Sequence, residues 1–141
     1  MRHLLVAFAL ALCALVSAPL AWAGSYLDRA SLLLDETRRE GDLLQPRTND
    51  KELVLLIHAV AEARRKAGSK MECPAAVAKA HPHLLLVLEN SERAAEAAVQ
   101  GNFKKFMEHL TAARNEDRTF RVMISELGYT LPELEGRRSG R

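Results

Sequence analysis

Residues 82–127 read PHLLLVLENSERAAEAAVQGNFKKFMEHLTAARNEDRTFRVMISEL, and this stretch decides the fold. In its second half Phe103, Phe106, Leu110, Ala113, Asp117, Phe120, Ile124 and Leu127 recur in steps of three and four. That interval lines one face of an α-helix. Gly101 interrupts the pattern with a residue that readily takes the left-handed conformation ending a helix, and Asn102 can cap the next one. The spacing therefore predicts two long helices folded back at Gly101 into an antiparallel hairpin.

Two more helices are expected upstream. Residues 25–40 carry Leu27, Ala30, Leu33 and Leu34 on one face, with Gly41 expected to weaken the helix and Pro46 to end it. Residues 50–67 carry a stripe of Leu53, Leu56, Ile57, Val60 and Ala63. Asn49, with Glu52 three residues on, resembles a capping box, and Gly68 is the expected stop. Residues 75–80 predict a helical turn or two. Pro82 then either kinks this segment or opens the third helix in its first turn. The sum is an all-α fold, an antiparallel up-down-up-down four-helix bundle over residues 24–128, followed by a flexible polar tail over 129–141.

The chain begins MRHLLVAFALALCALVSAPLAWAGS. A basic start, a short apolar stretch and the small-x-small triplet Ala21-Trp22-Ala23 predict a secretory signal peptide over residues 1–23. Ser17 and Pro19 break the apolar run below the length of a membrane span. Cleavage leaves 141 − 23 = 118 residues, one domain's worth, and no second span, so the expected location is periplasmic or secreted. The full chain has a formal net charge of +2 and the removed segment holds Arg2 and no acid, which leaves +2 − 1 = +1. So even a balance argues against a nucleic-acid partner. Cys73 is the one cysteine remaining, so the fold cannot rest on an internal disulfide.

Pro74, Gly101, the stretch AAEAAVQGNFKKF at 94–106 and the pair Arg114-Asn115 give the second half of the chain a resemblance to the cytochrome b562 family. The resemblance implies an exported four-helix bundle holding haem b between its helices. It also implies a methionine ligand near the start of the first helix and a histidine in the last. Here no methionine lies between Met1 and Met71, and Arg118 stands in the histidine's place. A guanidinium cannot ligate iron. The chain thus reads as a haem-free relative with no cofactor expected. A haem b electron carrier with relocated ligands among His58, His109 and Met107 is one alternative.

The other alternative is a soft-metal protein. Met71, Cys73, His81 and His83 bring together thioether, thiol and imidazole, a ligand set suited to copper. Asp117 falls on the apolar stripe of the last helix, where a carboxylate needs a partner such as Arg114 or Arg121. The sequence contains no Glu-x-x-His pair for a di-iron site, no phosphate loop, no nucleophile elbow and no HExxH. A non-enzymatic protein is expected. Three apolar runs, at 32–34, 53–57 and 84–88, are too long for one helical face: either loops and the kinked segment at 74–82 cover them, or they form a surface for a protein partner or a homodimer.

Overall fold

The computed structural model describes residues 2–132, with side chains from Ala23 onward. The expected signal peptide therefore falls, save for Ala23, among residues whose side chains lie outside the description, as do residues 133–141 of the expected tail. The described chain forms four helices: α1 (Arg2–Leu44), α2 (Lys51–Ser69), α3 (His81–Val99) and α4 (Phe103–Glu126). Short 3-10 turns at Gln45–Arg47 and Ala75–Val77 sit in two of the connections. The helices pack as an antiparallel up-down-up-down bundle, with no strand among the described residues.

The α3–α4 hairpin closes as its sequence predicts. Gly101 has φ of 69°, and the N–H groups of Gly101 and Asn102 donate to the carbonyls of Ala98 and Ala97 at 3.0 and 2.8 Å. Asn102 then accepts from the Lys105 N–H at 3.1 Å, capping α4. Phe106, Leu110, Ala113, Phe120 and Ile124 are buried, whereas Phe103 and Leu127, the ends of the stripe, lie in solvent. A second glycine turn at Gly128, with φ of 83°, reverses the chain. Tyr129 and Leu131 pack back on the core, and the Ser31 hydroxyl donates to the Pro132 carbonyl at 2.7 Å.

The core has two storeys. The lower one joins Leu44 of α1, Val54, Ile57 and Ala61 of α2, the alanines 94–98 of α3, and Phe106 and Leu110 of α4. The upper one joins Tyr26, Ala30 and Leu34 of α1 to Leu84 and Val87 of α3 and to Phe120 and Ile124 of α4. Among the described residues, this upper cluster includes none from α2. There the connector supplies Val77 and Ala80, with Met71 and Cys73 packed at the edge. Pro82 opens α3 within its first turn, and residues 75–77 stay outside it as a separate turn.

Four local expectations are corrected. The cap of α2 is Asp50, which accepts from the Leu53 N–H at 3.1 Å, because Asn49 is taken up in the preceding turn. α1 passes through Gly41 and stops at Leu44, and α2 passes through Gly68 to Ser69. Both glycines are contact points rather than breaks. A Cβ on Gly41 would sit 2.6 Å from Leu110 Cδ1, and one on Gly68 would sit closer still to Leu88 Cδ1. The absent side chains let neighbouring helices approach.

The fourth correction is the face of α2. The buried stripe is Val54, Ile57, Ala61 and Gly68, and not the one through Leu56, Val60 and Ala63. Arg64 lies on the inward side of this helix. Its guanidinium grips both carboxylate oxygens of Glu40 at 2.5 Å and reaches Thr37 Oγ1 at 3.5 Å. A fork-on-fork pair of this kind makes a charged residue tolerable between helices.

Candidate functional site

Rotating α2 onto the 54–57–61–68 stripe turns a second apolar stripe outward. Successive residues advance 100° around a helix. Leu55, Ala59, Ala63, Leu56, Ala67 and Val60 then fall within a single arc of about 140°, and every one of them is exposed. Leu55 and Leu56 keep 57% and 62% of their surface in solvent, more than any other large apolar side chain described. The other two apolar runs behave differently. In 32–34 only Leu32 is turned fully out, and in 84–88 only Leu86. Single exposed leucines are ordinary, but a continuous exposed helical face is not.

The rim of this face is charged. Glu52 lies at its N-terminal end and Lys66 at its C-terminal end. Lys66 leans on Glu62 at 2.5 Å across an exposed helical turn. Arg65 turns away from the face to pair with Glu92 of α3. Near the first turn of α2 a shallow hollow of about 140 Å³ continues the apolar surface across Leu55, Ala98 and Val99.

The predicted ligand residues take several different positions. His83 Nδ1 lies 2.6 Å from Glu116 of α4, and His109 Nδ1 lies 3.2 Å from the side-chain oxygen of Asn90. Met107 packs on the lower core and Met71 on the upper. His58 is half-buried on α2. Cys73 and His81 both lie beside Tyr26 at the edge of the upper storey. The buried phenol lies 2.8 Å from His81 Nδ1, while Cys73 packs against the same cluster and its thiol donates to the Pro74 carbonyl at 3.5 Å. Burial, then the neighbouring Cys73, holds the Tyr26 hydroxyl firmly protonated. Burial also raises the thiol's pKa, against the pull of the Tyr26 hydroxyl, and lowers that of His81. Imidazole, phenol and thiol are thus neutral groups with hydrogen-bond partners at the edge of the upper storey.

Among the described residues no group of three or more His, Cys, Asp or Glu side chains is arranged to hold a metal ion. The space between α1, α3 and α4, beside Thr37, Ser91 and Asp117, is a pocket of about 20 Å³. That is room for about one water, against ~300 Å³ or more for a cofactor site. Asp117 itself is paired. Arg121 donates to it at 2.7 Å and to Asp35 of α1 at 3.0 Å, while Arg114 goes instead to Asp42 at 2.6 Å.

Fold and surface together define the class: an antiparallel four-helix bundle with one apolar helix face turned to solvent. Comparison with protein-family models, with curated proteins and with solved structures finds no match to this chain. Among the described residues no helix is long and apolar enough to cross a membrane.

Ala59 and Ala67 are the surface residues that sequence reading missed, and Leu56, Val60 and Ala63 are those it placed inside. The signal was present, since α2 carries two overlapping stripes with the same spacing. Arg64 and Gly68 made the true inner stripe look the poorer of the two.

Proposed function

We propose that this chain is an exported, non-enzymatic bundle, a haem-free counterpart of the cytochrome b562 architecture, that works by binding another protein surface. The outer face of α2 is the contact. The observation that carries this reading is the exposed stripe of Leu55, Leu56, Ala59, Val60, Ala63 and Ala67, which leaves apolar surface in water unless something covers it. Export is supported by the basic, apolar and Ala-Trp-Ala pattern of residues 1–23. The test is covalent capture in cells that produce the protein. A photoreactive benzoylphenylalanine at Ala59 should yield a discrete protein adduct, and the same group at exposed Thr111 of α4 should yield none. Absence of any adduct at Ala59 overturns the reading.

Soft-metal binding is a second reading, favoured by the placement of Met71 and Cys73 against the cluster in which Tyr26 holds His81. Only part of the sequence-predicted set serves it, since His83 is engaged with Glu116. Copper(I) titration of the protein and of Cys73→Ala decides it, and equal affinities would remove it.

A further inference from the structure

We infer that the partner of the α2 face is a second copy of this chain, packed antiparallel across a twofold axis near Ala59. The inference rests on the interaction reading above and names its occupant. The centre line of the exposed arc runs Glu52, Leu56, Ala59, Ala63 and Lys66, a four-three-four-three spacing that forms a seam. Read against itself in the opposite direction, the line is complementary at every step. Glu52 meets Lys66 of the second copy, Leu56 meets Ala63, and Ala59 meets Ala59.

Each step has a physical consequence. A large side chain opposite a small one fills the space between helices without a void, and alanines at the axis let the backbones come close. Opposite charges close both ends of the seam, and twofold symmetry makes each such contact twice. A parallel arrangement would instead set Glu52 on Glu52 and Lys66 on Lys66, which like-charge repulsion disfavours. Lys66 is free to turn, because its contact with Glu62 is an exposed pair of small worth. A seam of this length spans about 21 Å and buries on the order of 1,000 Å² in total, at the small end of specific interfaces. A micromolar, concentration-dependent dimer follows.

The test is sedimentation of the purified protein over about 5–500 μM, a range that brackets micromolar association. The wild type should pass from monomer to dimer. Glu52→Lys and Lys66→Glu should each weaken association about tenfold, because each sets like charges together at both ends of the seam. An equimolar mixture of the two variants should dimerise, and the double variant Glu52→Lys/Lys66→Glu should recover wild-type association. Circular dichroism melts of these surface variants confirm that each is folded. A wild type monomeric throughout overturns the inference, as does a dimer indifferent to both single changes. If the Ala59 adduct in cells has the mass of this chain plus a different protein, the homodimer fails while the interaction reading stands. No adduct and no dimer removes both.

Discussion

Replacing Gly68 by alanine tests whether this glycine ends α2 or lets α2 approach α3. Were it a helix stop, alanine would be neutral or would stabilise by up to about 1 kcal/mol, the usual gain of alanine over glycine inside a helix. The structure predicts the reverse sign. Leu88 is 1% exposed, and the new methyl would fall well inside van der Waals contact of its Cδ1. Overpacking of this kind costs about 1–3 kcal/mol. Set against the propensity gain, Gly68→Ala should destabilise by up to about 2 kcal/mol. The decisive comparison is the same change in a Leu88→Ala background. Leu88→Ala alone should cost about 2–5 kcal/mol and empty the space that the methyl needs. There Gly68→Ala should become stabilising, by up to about 1 kcal/mol. Urea melts followed by circular dichroism give all four corners of this cycle, and unchanged m-values show that the comparison is sound. The same sign in both backgrounds would refute the close-approach reading.

Phe106→Ala and Leu110→Ala, both in the lower storey, should each cost about 2–5 kcal/mol in urea melts, and a loss below about 0.5 kcal/mol would mean that the stripe is misplaced. Arg64→Ala should cost about 1–3 kcal/mol, because it leaves the Glu40 carboxylate between helices without its guanidinium; a neutral result in the same melts would show that water replaces the pair. Acidification should weaken the fold through His81. Burial lowers its pKa in the folded chain, so unfolding takes up a proton. This contribution is fully present above the unfolded value of about 6.5 and is lost as pH falls from there through the folded value. His81→Gln should flatten the fall of the urea midpoint below about pH 6.5, and an unchanged slope would place the titration elsewhere.

Periodicity by itself determined the helix count, the hairpin at Gly101 with its Asn102 cap, and the inward face of α4. These are local quantities, set by backbone sterics, capping hydrogen bonds and one strongly one-sided stripe. The pairing of Asp117 with Arg121 was legible for the same reason, since four residues span one helical turn. Three other features were decided only by packing. Which face of α2 turns inward depended on Glu40 and Thr37 of α1 receiving Arg64, a contact between residues 24 and 27 positions apart. Gly41 and Gly68 became contact points because Leu110 and Leu88 arrive opposite them. Of the ligand candidates, His83 and His109 found their partners on neighbouring helices, in Glu116 and Asn90. A sequence records which side chains a helix offers. Where two faces are nearly equal in apolar content, the partner helices choose between them, and on this chain that choice left Leu55, Leu56 and Val60 in solvent.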